Sequence, residues 1–251
     1  MAENKFENAV IDKLESEGWT YRKDFSNKTT KVLYEHWREI LNQNNAPKLA
    51  GSVLSDNEFH QLLIELNKNK TAYDAQLMLA GAGGIGTLPL IRDDGTSLEI
   101  EIFFGDEVAG GHSQYEVVSQ VTFDELPFTL SSKRRIDLML LISGLPVVHI
   151  EEKDETLQNQ WSAFEQFQKY HSDGMYSGLF SFVQIQFILS QHSAHYFARP
   201  KDATSEAYNK DFVFGWRDKN GKDVTDTMKF IHEVMGCLLY TSPSPRDSTS
   251  S

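Results

Sequence analysis

A chain of 251 residues, 40% hydrophobic and 12% aromatic, has enough apolar material for one large α/β core or one core with a sizeable insertion. Its formal net charge of -12 argues against a surface that grips nucleic acid unaided, because non-specific DNA affinity comes from basic groups on phosphates. No apolar run approaches the roughly 18 residues of a membrane span, Met1-Ala-Glu-Asn-Lys is no signal peptide, and the absence of any cysteine besides Cys237 fits a cytoplasmic protein.

Taken in chain order, Phe6 to Glu17 has helical periodicity, with Phe6, Val10, Ile11 and Leu14 on one face. Tyr34 to Asn42 and Asp56 to Asn67 are predicted helices, the second opening at a Ser55-Asp56 cap. Gly81-Ala-Gly83-Gly-Ile-Gly86 spells Gly-x-Gly-x-x-Gly, but Pro89 and the Arg92-Asp-Asp-Gly95 turn follow where a dinucleotide fingerprint needs a helix, so no cofactor loop is assigned. Leu98 to Phe104, Tyr115 to Phe123, Leu138 to Ile142 and Val147 to Ile150 are predicted strands. Trp161 to Tyr170 is a predicted helix, Phe180 to Ser190 a strand, His195 to Phe197 a short strand, and Thr225 to Met235 a closing helix. His192 and His195 lack a third ligand and are assigned to a surface turn rather than to a metal.

The chemistry concentrates between residues 135 and 153. Arg135-Ile-Asp137 leads into an apolar strand, Gly144-Leu145-Pro146 reverses the chain, and the return strand ends His149-Ile-Glu151-Glu152-Lys153. Side chains alternate along a strand, so His149, Glu151 and Lys153 share one face and Glu152 takes the other. If the strands pair, Asp137 joins that face. Two carboxylates with a lysine suit a hard divalent cation such as Mg²⁺ or Mn²⁺ and the hydrolysis of a phosphodiester. The compact basic cluster Lys133-Arg134-Arg135 stands just before Asp137, where it would meet DNA phosphates at the site entrance, or form a solvated strand end. His149 faces the site, where a packed strand histidine is the expected role.

The run from Asp137 to Lys153, with Ser143-Gly144-Leu145-Pro146 at its turn, resembles the nuclease core of the restriction (motor) subunit of type I restriction-modification enzymes, a branch of the PD-(D/E)xK nucleases. Gln166 and Tyr170 are similar to that family's Gln-x-x-x-Tyr helix, Gln114 to Gln120 to the strand before the aspartate strand, Val213 to Trp216 to a late strand, and Phe6 to Trp19 to its first helix, with a glutamate at Glu7. The matches run in family order from about residue 5 to about residue 232. The departure is Glu152, where the family's spacer is usually apolar.

The resemblance implies an α/β restriction-endonuclease-like core, a central mixed β-sheet flanked by helices. It implies catalytic roles for Asp137, Glu151, Lys153, Gln166 and Tyr170, and metal binding by Asp137 and Glu151 with Glu7 as a further contributor. It also implies double-stranded DNA as substrate, methylation and specificity subunits as partners, and ATP used by a helicase-like motor, for which this chain holds no Gly-x-x-x-x-Gly-Lys-Ser/Thr loop. The expected domain is 1–236; Cys237 to Asp247 resembles an in-frame translation of a transposon sequencing adapter, so 237–251 is expected to be a disordered, artefactual tail. A stand-alone nuclease of the same fold and a catalytically silent docking domain are the rival expectations.

Overall fold

The computed structural model describes residues 2–104, 113–123, 134–153 and 160–236. Among these, a mixed seven-stranded sheet is flanked by six α-helices. The expected α/β class and central mixed sheet are therefore present. The helices are α1 (Ala2–Ser16), α2 (Lys31–Asn44), α3 (Asp56–Leu66), α4 (Ala72–Ala80), α5 (Gln160–Ser172) and α6 (Thr227–Met235). The large sheet runs in the order β1 (Thr20–Tyr21), β4 (Tyr115–Ser119), β7 (Leu138–Ile142), β8 (Leu145–Glu152), β9 (Ile185–Leu189), β10 (Ala194–Ala198) and β11 (Phe214–Gly215). The pairs β1–β4 and β8–β9 are parallel and the rest antiparallel. Separate two-stranded ladders join β2 (Ile85–Ile91) to β3 (Ser97–Phe104), and β5 (Thr122–Phe123) to β6 (Arg134–Arg135).

Both sheet faces are buried, which is why β7 reads as a continuous apolar run rather than an alternating one. One face packs Val10, Ile11 and Leu14 of α1 and Phe230 and Ile231 of α6 against Val117, Leu140, Val148 and Ile150. The other packs Trp37 and Leu41 of α2, Leu62 of α3 and Phe164 and Phe167 of α5 against Val118, Met139, Leu141 and Ile188. Helix ends are set by local side chains. Ser55 and Glu58 form a reciprocal capping box at α3, Thr71 and Asp74 another at α4, and Asp226 accepts from the Met228 and Lys229 backbone N–H groups at α6.

The β7–β8 hairpin positions the site, and its turn falls one residue earlier than expected. Ser143 (φ 50°) and Gly144 (φ 78°) are its two central residues, while Leu145 and Pro146 already belong to β8. Two consecutive left-handed residues make the tight hairpin turn whose twist matches the strands, and proline, locked near φ −65°, cannot supply one. A Cβ on Gly144 would lie 2.8 Å from Ile40 Cδ1 of α2, so a side chain here would also have to displace that methyl. Pro146 has no N–H to donate; it sits where the β7–β8 register shifts, before pairing with β9 begins at Val148.

Other boundaries move for similar reasons. The strand expected over Phe180 to Ser190 is a 3₁₀ turn, Gly178–Phe182, followed by β9. Tyr115 to Phe123 is broken at Gln120 (φ 56°) into β4 and β5. The glycine run is a helix-to-strand turn: Gly81 caps α4 and Ile85 opens β2, the reverse of a dinucleotide fingerprint, so the rejected cofactor loop stays rejected. No helix among the described residues is long and apolar enough to cross a membrane. The tail 237–251 lies outside the described residues.

Candidate active site

Leu138 pairs with Ile150 in the β7–β8 ladder, so Asp137 and Glu151 stand opposite one another one step further along. Cross-strand partners share a face. Asp137 Oδ2 accepts the backbone N–H of Glu152 at 3.0 Å, which ties the aspartate to the opposite strand. Glu151 is fully buried; its Oε1 lies 3.1 Å from His149 Nε2 and its Oε2 3.5 Å from Lys153 Nζ. Lys153 Nζ donates to Gln166 Oε1 at 3.0 Å. The chain of contacts continues through α5: Gln166 Nε2 donates to the Tyr170 hydroxyl, and that hydroxyl donates to the Arg135 carbonyl at 3.1 Å. Gln166 and Tyr170 are four apart and share one helix face, as the sequence spacing requires.

The electrostatics are unbalanced. Burial, then the neighbouring Glu151 charge, push the Asp137 carboxyl up to about 7, against the Glu152 N–H that favours its ionised form. Burial likewise pushes Glu151 up to about 7, and the Lys153 ammonium offsets only part of it. Burial drives His149 down to about 3, so its ring is neutral. It raises the Tyr170 hydroxyl further out of the titrating range. Two carboxylates thus face each other with one lysine between them and α5, and Glu151 Oε2 has no hydrogen-bond partner. An oxygen-only, doubly acidic donor set, whose buried Glu151 Oε2 makes no hydrogen bond and lies 3.5 Å from the Lys153 ammonium, fits a hard divalent cation.

The remaining predicted residues are placed unequally. Glu7 is not brought to the pair: its carboxylate accepts from the Gln120 side chain, and the Gln120 backbone N–H donates to the Asp137 carbonyl at 2.9 Å. Among the described residues no three metal-ligating side chains cluster. Glu152 is buried on the opposite face, in step with Val148 and Ile150, as alternation predicts. Arg134 is held by Asp173, Nε to Oδ2 at 2.8 Å, whereas Arg135 is exposed. Lys133 lies outside the described residues. Both arginines line a cleft of about 460 Å³ with Gln166, Tyr170 and Lys169, so Lys169 is a cation of this entrance that the sequence did not single out. Its signal was helical spacing, three residues after Gln166. Also missed were Tyr176, which reaches His149 from outside the motif, and Gln186, which donates to the Tyr176 hydroxyl.

The family model described as the type I restriction enzyme R protein N terminus matches residues 1–205. The chain belongs to that family. Members similar to this R-protein N terminus include the type I restriction enzyme SauCOLORF180P endonuclease subunit of Staphylococcus aureus (strain COL), 29% identical over 234 residues, 93% of this chain and 23% of the relative. The SsaAORF53P endonuclease subunit of Staphylococcus saprophyticus is 28% identical over the same shares. The chain therefore spans about a quarter of the length of these relatives, 23%.

Proposed function

We propose that residues 1–236 form the DNA-cleaving domain of a type I restriction R subunit and hydrolyse phosphodiester bonds of double-stranded DNA with Mg²⁺ or Mn²⁺. The observation that carries this reading is the Asp137 and Glu151 pair facing Lys153, joined through Gln166 and Tyr170 to a cleft that those two residues line with Arg135 and Lys169. Asp137 and Glu151 hold the cation, which when bound supplies Lewis-acid stabilisation of phosphate charge and a more acidic water. Lys153, steadied by Gln166, donates to the attacking water or to a phosphate oxygen where negative charge develops. Tyr170 anchors Gln166 to the backbone at Arg135 and so relates α5 to the aspartate strand. Arg135 and Lys169 meet the DNA backbone, with Lys133 adjoining them in sequence; Arg134, already paired with Asp173, contributes less. Glu7 acts through Gln120 rather than at the cation.

The net charge of -12 makes weak unaided DNA binding part of the proposal. In it, an ATP-driven motor region of the R subunit supplies the grip, and methylation and specificity subunits select the site. Calorimetric titration of Mn²⁺ into the chain tests the core of the reading. Binding should be lost in the Asp137→Asn, Glu151→Gln double variant, since amides remove both ligand charges. Unchanged binding would place the cation elsewhere.

A further inference from the structure

Behind Glu151 lies a line of buried polar groups for which the proposed reaction has no direct use. Gln186 Nε2 donates to the Tyr176 hydroxyl at 2.6 Å, Tyr176 Oη lies 2.9 Å from His149 Nδ1, and His149 Nε2 lies 3.1 Å from Glu151 Oε1. His149, Glu151 and Gln186 have no exposed surface and Tyr176 is 6% exposed. The groups come from three places: His149 and Glu151 from β8, Tyr176 from the segment after α5, and Gln186 from β9. The imidazole is clamped as well as bonded. It stacks on Tyr170 with ring centres 5.6 Å apart and meets the Phe167 ring edge-on at 4.8 Å.

We propose that Tyr176 and Gln186 are positioning residues that fix His149 as the Nε2–H tautomer, so that its N–H holds Glu151 Oε1 and leaves Oε2 directed at the cation site. The proton count supports it. A tyrosine hydroxyl has one hydrogen, and one that accepts from an amide N–H has its own free to give. Given to Nδ1, it leaves the neutral imidazole's single hydrogen on Nε2, which faces the Glu151 carboxylate at 3.1 Å. A neutral ring cannot donate from both nitrogens, so the choice made at Tyr176 decides what Glu151 receives. The two carboxylate oxygens then have different tasks, consistent with one being hydrogen-bonded and the other having no such partner. Support of this kind behind a ligand is typically worth about 10- to 100-fold in metal affinity.

The inference rests on the proposed cation site, so the test has two readouts. ¹⁵N-resolved NMR of the histidine rings reports the His149 tautomer with no metal present. Mn²⁺ titration reports ligand geometry. The wild-type chain should show Nε2 protonated and Nδ1 bare. Tyr176→Phe keeps the ring packing but removes the hydroxyl; it should lose the single tautomer and weaken Mn²⁺ about 10- to 100-fold, with a cooperative melt retained. His149→Leu should weaken Mn²⁺ to the same degree. An Nδ1–H tautomer in the wild type, or wild-type tautomer and Mn²⁺ affinity in Tyr176→Phe, would overturn the proposal. Failure of the wild type to bind Mn²⁺ would instead remove the cation reading and leave the tautomer to decide the relay.

Discussion

Two carboxylate clusters occupy the same face of the sheet at opposite ends of β4 and β7, and they are neutralised in opposite ways. At one end Glu116 receives Arg22 Nη1 at 2.6 Å and stands 2.7 Å from His36 Nε2. Burial works against its ionisation, yet the His36 and Arg22 contacts win and hold the carboxyl below its ordinary 4.5. At the other end Asp137 and Glu151 share one lysine and are both pushed up to about 7. The first cluster supplies its own counter-charge and locks α2 and the β1 edge onto the sheet. The second withholds it. An under-neutralised acid pair at a cleft is the arrangement expected of a functional site, whereas a matched pair of similar burial is expected of structure.

The largest expected effect separates the two ends by activity. With this chain grafted as the N-terminal region of a complete R subunit, Lys153→Ala should lower DNA cleavage by about 10²-fold or more. ATP-driven translocation on DNA should be unchanged, because the Lys153 ammonium pairs with Glu151 and Gln166 at the proposed nuclease site. Glu116→Gln in the same assembly should cleave at the wild-type rate at temperatures where it stays folded. Cleavage retained by Lys153→Ala would break the assignment of the second cluster to chemistry.

That assignment was legible because it is local. Period-two alternation put Glu151 and Lys153 on one face and Glu152 on the other, and a short turn forced Asp137 opposite Glu151. Helical spacing alone joined Gln166 to Tyr170. Where tertiary contacts decide, the sequence was silent. Tyr176 reaches His149 from 27 residues away and Gln186 in turn holds Tyr176, and neither sits in a spaced motif. α4 escaped notice because Tyr73 and Leu77 are 65% and 53% exposed, so its apolar residues draw no single stripe, although Thr71 and Asp74 spell a capping box. The run from Phe180 to Ser190 is mostly apolar, with Ser181, Gln184 and Gln186 spread through it, and periodicity does not divide it; Gly178 at φ 54° and the 3₁₀ turn do so through packing of Phe180 and Phe182.

A second test moves to stability. Glu116→Gln leaves Arg22 and His36 facing an amide and should cost about 2 kcal/mol in urea unfolding, discounted from the usual 3–5 because Arg22 is partly exposed. A lowered folded pKa contributes stability above the unfolded value that is lost as pH falls through the folded one. The gap between wild type and variant should therefore be constant above about pH 5 and close as pH drops below the ordinary 4.5. A gap that widened in acid would reverse the assignment.

The site pair should show the opposite sign and a smaller gain. Carboxyls whose folded pKa is raised contribute stability below their unfolded values, 3.8 and 4.5, that is lost as pH climbs to about 7. Without metal, the Asp137→Asn, Glu151→Gln double variant should match wild type near pH 4 and become about 1–2 kcal/mol more stable than it above pH 7. Added Mg²⁺ should raise the wild type alone, as a ligand bound by the folded state must. A double variant less stable than wild type at pH 8 would mean that the pair is already matched, like Glu116, by groups other than a cation.

The smallest effect is expected at Glu152, and it guards the choice of ligand. Glu151 and Glu152 are adjacent, equally buried acids at the end of β8. Only alternation tells them apart: Glu151 faces α5 with His149 and Lys153, and Glu152 faces the α1 and α6 side with Val148 and Ile150. The backbone N–H of Glu152 bonds Asp137, but that N–H survives any side-chain change. Glu152→Gln should thus keep Mn²⁺ affinity and cleavage within about twofold, some 0.4 kcal/mol, while Glu151→Gln loses both. Loss of metal binding in Glu152→Gln with binding intact in Glu151→Gln would shift the strand by one residue and exchange the two faces. Every side chain of β8 would then be reassigned, because a one-residue slip moves the whole set to the other side of the sheet.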